Sequence, residues 1–222
     1  MDAVGDLVVY YSDERQKASN ILQSVVHRES TDGGQTWGSL YNDVAVADKN
    51  TRAGMMSVVR FPDGTHFGAF KEVGQTDVPV YAKTSTDGIN WGTASSLGTK
   101  LQTANGTFFF GSPFVLWTPT GGANGTLTVA GGRLVSPTSN YSKSSFLQNT
   151  NLGSGDWTQV EAPIDVYFNS DNAAYSQSIT PTLDNRTLVQ FTSIPQPTAA
   201  ITMSSRGQCH SPRHAMRQSR PR

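Results

Sequence analysis

The sequence predicts an all-β protein: a partial β-propeller with about three to three and a half four-stranded blades. Three observations predict it, namely the composition, a turn motif that recurs along the chain, and strands that fall at regular places around that motif. Charged residues make up 15% and hydrophobic residues 36% of the 222 positions, with 21 glycines and an abundance of Ser, Thr and Asn. Such a mixture suits strands joined by tight turns, and no amphipathic helical stretch of useful length interrupts it.

The recurring motif begins as Ser30-Thr31-Asp32-Gly33-Gly34-Gln35-Thr36-Trp37. It returns one residue shorter as Ser85-Thr86-Asp87-Gly88-Ile89-Asn90-Trp91, and in degenerate form as Asn149 to Trp157. The tryptophans are 54 and 66 residues apart, a blade-like period. An Asp in such a turn can accept hydrogen bonds from backbone N–H groups just ahead of it, and the Trp ring can pack between neighbouring sheets. Asp32 and Asp87 are therefore expected to be structural.

Around the motif each element has its own signal. Met55 to Phe61, the turn Pro62-Asp63-Gly64, Thr65 to Phe70, Val78 to Thr84, the second motif and a short strand from Trp91 form one meander. Pro113 to Thr118, the turn Thr120-Gly121-Gly122, Thr126 to Ala130, Ser144 to Gln148, the degenerate motif and Trp157 to Val160 form the next. Leu7 to Tyr11, Ile21 to His27, the first motif and Trp37 to Tyr41 supply three strands of an earlier blade. Tyr175 to Thr180, the turn Asp184-Asn185 and Thr187 to Thr192 begin a later one. A ring closes with about four to eight blades, so this chain is expected to be part of one.

Two domains are expected: residues 1–203 as the partial propeller and residues 204–222 as an irregular basic tail outside the fold. Five arginines (Arg206, Arg213, Arg217, Arg220 and Arg222) lie in the last 17 positions, which hold no acid. Removing them from the 17 basic residues leaves 12 against 17 acids, a mildly acidic body. The tail reads as a misplaced gene end, with a genuine basic tail as the other reading. The body lacks the basic, aromatic-laced face that nucleic acid would require. No apolar run is long enough for a membrane span, and residues 1–6 lack the pattern of a signal peptide. Cys209 is alone, so no disulfide framework can form within the chain, and the four histidines are too scattered for a metal site; no cofactor is expected. Asn105, Asn124, Asn140 and Asn185 begin N-x-Ser/Thr sequons, possible glycan acceptors in a secretory pathway.

The first motif matches in full the S-x-D-x-G-x-T-W pattern known as the Asp-box, or BNR repeat, of sialidase-type propellers. Together with Val8 to Gln16 (VVYYSDERQ), Thr51-Arg52-Ala53-Gly54-Met55, Phe70-Lys71-Glu72, Gly111 to Trp117 and Tyr175-Ser176-Gln177-Ser178, it resembles the fungal exo-arabinanases of glycoside hydrolase family 93. The resemblance runs from about residue 5 to residue 193. It implies a six-bladed ring and a secreted enzyme that releases arabinobiose from α-1,5-arabinan with retention. The implied partner is a polysaccharide or oligosaccharide, and the oligomeric state is left open.

Retaining glycosidases need a nucleophilic carboxylate and an acid/base carboxyl roughly 5 to 5.5 Å apart. By resemblance, Glu14 matches the nucleophile-type glutamate and Glu72 the acid/base. Glu14 is expected just after an inner strand and Glu72 at an equivalent place one blade later. Arg52 has two readings, a ligand of sugar hydroxyls at the channel mouth or an interblade arginine. Tyr175 matches an aromatic near the sugar, although Ser-Gln follows it where the family pattern has Ser-Arg. Two other functions stay open: a sialidase, for which the chain lacks an Arg-Ile-Pro segment, and a non-catalytic carbohydrate-binding propeller or inactive truncated product.

Overall fold

The computed structural model describes residues 6–15, 22–74, 78–131, 133–136, 139–140, 145–161, 177–182 and 188–192. All regular structure in them is β. The predicted tail, residues 204–222, lies outside the described residues, as do Tyr175 and Asn185.

Blade one holds β1 (Leu7–Asp13), β2 (Ser24–Ser30) and β3 (Tyr41–Val44), an antiparallel sheet in that order. Blade two is a four-stranded meander of β4 (Arg52–Arg60), β5 (His66–Val73), β6 (Val80–Ser85) and β7 (Thr99–Lys100). A small sheet then intervenes, built from β8 (Phe108–Phe110), β11 (Arg133–Ser136) and β12 (Ser139–Asn140). Blade three comprises β9 (Phe114–Thr118), β10 (Thr126–Ala130), β13 (Ser145–Asn149) and β14 (Thr158–Glu161). A final pair, β15 (Gln177–Pro181) and β16 (Leu188–Thr192), starts the next sheet.

Strand alternation sends alternate side chains of each blade to opposite neighbours. In blade three Val115, Val129 and Leu147 stand opposite one another in register and face blade two. Phe114, Ala130 and Phe146 point the other way and pack with Ile179 of β15. The largest core joins blades two and three; the core joining blades one and two is Val25 and Val44 against Ala53 and Phe70.

The turns work as their residues demand. Asp32 accepts hydrogen bonds from the Thr36 N–H at 2.9 Å, the Thr36 hydroxyl at 2.6 Å and the Ser30 hydroxyl at 2.8 Å. Asp87 does the same for the Ile89 and Asn90 N–H groups and the Asn90 side-chain amide. In the degenerate copy Asn149 takes over, accepting from the Asn151 and Gly153 N–H groups and donating to the Ser154 and Asp156 carbonyls. Trp91 packs edge-on against Tyr10 of β1, and Trp157 packs against Phe67 of β5. Each ring therefore clamps its blade to the preceding one.

Three details differ from expectation. The outer strands of blades one and two start at Tyr41 and Thr99 instead of at Trp37 and Trp91. Trp91 donates through Nε1 to the Gly88 carbonyl and stays tied to its turn, so the chain rejoins the sheet only later. The sheet of β8, β11 and β12 was not foreseen; it forms because Phe109 is fully buried against Leu134 and blade three, and a Cβ at Gly131 would come within 2.7 Å of the Phe109 ring. Lastly, β1 is not an inner strand. The motif follows β2 in blade one and β6 in blade two, so β1 corresponds to β5, the second strand of its blade.

A polar staple also joins blades one and two. His27 Nδ1 and Asp43 Oδ1 lie 2.7 Å apart, with side chains only 1% and 2% exposed. Lys83 donates from Nζ to the backbone carbonyls of Asp43 and Thr93, and Tyr41 stacks on the His27 ring. Burial pushes the Asp43 carboxyl above its ordinary range and the Lys83 ammonium below its own.

Candidate active site

The strands β1 and β5 both run away from the motif turns, so their last residues gather at the opposite end of the blades. Here the sequence supplies Ser12-Asp13-Glu14 from blade one, and Lys71-Glu72 with Arg52 at the start of β4 from blade two. Glu72 is fully buried, paired in register with Ala53. It shares a face with Phe70, which packs on blade one, so the Glu72 side chain is on the blade-one side of its sheet. Glu14 is exposed, one residue beyond β1. Arg52 is half-buried, with its Nε buried and making no hydrogen bond.

The predicted equivalence of Glu14 and Glu72 is displaced by one residue. Leu7 pairs with Ser30 and His66 with Ser85, so aligning the two motif serines matches Asp13, not Glu14, with Glu72. Asp13 is held in a two-pronged ion pair by Arg15, at 2.8 Å from Nε and 2.7 Å from a terminal nitrogen. That hydrogen bonding keeps its carboxyl below the usual range. With Arg15, Leu22, Leu40 and Val46 it lines a cavity of about 230 Å³ beside blade one. Ser12 lies on the side toward blade two, and Glu14 follows two positions later, just past the last paired residue of β1.

Between these groups β4 comes close to β1. The Met55 N–H donates to Ser12 Oγ at 2.9 Å, and a Cβ at Gly54 would lie 2.1 Å from the Gln23 side-chain nitrogen and 2.8 Å from Ser12 Oγ. Glycine is thus the residue that lets β4 approach blade one. Ser12, Gln23, Met55 and Ser112 are the members of this region that motif reading did not single out individually. The Arg-Ala-Gly-Met and Gly-Ser-Pro segments marked the neighbourhood without revealing which atoms meet.

Several solved structures are similar to this chain. An α-L-arabinanase of Penicillium chrysogenum, complexed with arabinobiose, is 32% identical with a TM-score of 0.60, over 74% of this chain and 44% of that one. The GH93 α-L-arabinofuranosidase of Fusarium graminearum with arabinobiose is 27% identical with a TM-score of 0.65, over 83% of this chain and 48% of that one. Its complex with an iminosugar inhibitor gives 27% and 0.63 over the same shares. This chain thus spans less than half the length of each. No family model and no curated protein matches it.

Proposed function

From the premise that this chain is part of a sialidase-type β-propeller, we propose that it belongs to a glycoside hydrolase, a retaining exo-α-1,5-arabinanase acting on plant arabinan outside the cell. The arabinobiose bound in two similar structures supports the substrate class. The observation that supports the reading is the seam between blades one and two, which Glu72 faces, with Arg52 at the start of β4 and Glu14 one residue beyond β1 at the same end of the blades.

In this reading Glu14, open to solvent, is the nucleophile. Its carboxylate attacks the anomeric carbon while Glu72 delivers a proton to the departing glycosidic oxygen. Glu72 then takes a proton from the water that hydrolyses the glycosyl-enzyme ester. Arg52 supplies donors to sugar hydroxyls, and Tyr175 adds an aromatic contact. Residues 204–222 form no part of the propeller domain, residues 1–203.

Sugar release from linear α-1,5-arabinan by the chain and by Glu14→Gln, Glu72→Gln and Asp13→Asn variants tests this. The expected result is arabinobiose release that falls on the order of 100-fold or more in the two glutamate variants, with unchanged melting temperature, and survives in Asp13→Asn. Loss in Asp13→Asn with Glu14→Gln still active would move the nucleophile to the register-equivalent residue. Binding of arabinobiose without turnover in any form would replace the enzyme reading with a carbohydrate-binding one.

A further inference from the structure

We infer that Met55 is the apolar positioning contact for the sugar at this site, an assignment that rests on the arabinanase reading and goes beyond its carboxylates. Four observations meet at this residue. First, β4 carries a register break between Gly54 and Ser57, where two residues of β4 stand against one of β5. Such bulges re-aim a side chain out of the regular alternation. Second, Met55 has φ of +55°, a left-handed conformation that an unbranched L side chain adopts only when its surroundings impose it. Third, 49% of Met55 remains exposed although it stands on the first strand of a packed blade. Fourth, it is gripped from both neighbouring blades: its N–H donates to Ser12 Oγ of blade one, and its sulfur accepts the hydroxyl hydrogen of Ser112, just before blade three.

The fold thus spends a bulge, a left-handed backbone and a close-approach glycine at position 54 to keep one thioether exposed. A core residue would gain from being turned inward, and a surface residue would not need clamps from two blades. Backbone strain held in place by its surroundings in this manner clusters at ligand-contacting positions. Register places Met55 three residues after Arg52 and two after Ala53, the partner of Glu72, on the end of the blade that carries both. The chemistry fits a furanose sugar, whose ring presents C–H groups on one face and hydroxyls at its edge. A soft, polarisable methyl thioether packs against the former while Arg52 addresses the latter.

Glycine at position 55 separates this role from a structural one, because it removes the side chain and relieves the backbone together. The expected outcome for Met55→Gly is a melting temperature equal to or above the parent, with kcat/KM on linear α-1,5-arabinan reduced about tenfold, chiefly through KM. Met55→Leu, which restores an apolar side chain of similar volume, should stay within about threefold of the parent. Unchanged KM in Met55→Gly, or activity and melting temperature falling together, would overturn the assignment while leaving the arabinanase reading in place. A parent chain that neither binds arabinobiose nor cleaves arabinan would overturn both.

Discussion

At His27 and Asp43 two ionisable side chains are almost wholly removed from water and meet through one contact, Nδ1 to Oδ1 at 2.7 Å, while His27 Nε2 and Asp43 Oδ2 are buried without a hydrogen bond. Removing one member leaves a buried polar group without its hydrogen-bond partner, which typically costs about 1 to 3 kcal/mol. Asp43→Ala should therefore lower stability by about 1 to 3 kcal/mol in urea titration. The Lys83 ammonium remains held by main-chain carbonyls of Asp43 and Thr93 but loses the attraction of the Asp43 carboxyl, so the loss combines the His27 and Lys83 partners. Single residues were also where sequence reading reached its limit. Glu72 was identified from its setting in Phe70-Lys71-Glu72, and its place at a strand end agrees with the structure. Met55 was not identified, because nothing in a methionine announces a positive φ, and the close approach of Gly54 to Gln23 and Ser12 shows only in three dimensions.

At the scale of elements, the motif turns were the most legible feature because their chemistry is local. Ser, Asp, Gly and Trp at fixed offsets specify the hydrogen bonds almost completely, and the structure makes them. Strand order is a different matter, since a meander reads the same from any starting point. Hence β1 was taken as innermost although its pairing shows it to be the counterpart of β5. The small sheet of β8, β11 and β12 escaped because its strands are short and Arg133–Ser136 pairs back to Phe108–Phe110 across blade three. The turns also make a pH prediction. Hydrogen bonds from Thr36 hold the Asp32 carboxyl down to about 2, and those from Asn90 and Ile89 depress Asp87 further. A carboxyl depressed in the folded state stabilises the fold above its unfolded pKa, near 4, and that contribution is lost as pH falls toward the folded value. Denaturation midpoints measured from pH 5 to pH 2 should fall more shallowly in an Asp32→Asn, Asp87→Asn double variant than in the parent.

For the whole molecule, the sheets form a row in which each blade contacts its neighbours, so stability is closer to a sum of seams than to a single core. The seams are unequal. Thirteen buried hydrophobic residues form the cluster centred on blades two and three, whereas four form the cluster between blades one and two. The less apolar seam is also the one that Glu72 faces. Its opening would part blades one and two without melting either sheet. In the language of native-state hydrogen exchange, β1 and β2 are expected to open at lower free energy than β5, β6, β10 and β13. Amides of Val25 to Arg28 should therefore exchange faster than those of Leu127 to Ala130, and under the proposed function arabinan cleavage should be lost on warming before the β-sheet signal in circular dichroism. Coincident loss of activity and sheet signal, with equal protection in the two segments, would show that the blades open as one body. The staple of His27, Asp43 and Lys83 then acquires a second meaning: it is a latch across that seam, and weakening it by Asp43→Ala should raise the exchange rate of the Val25 to Arg28 amides.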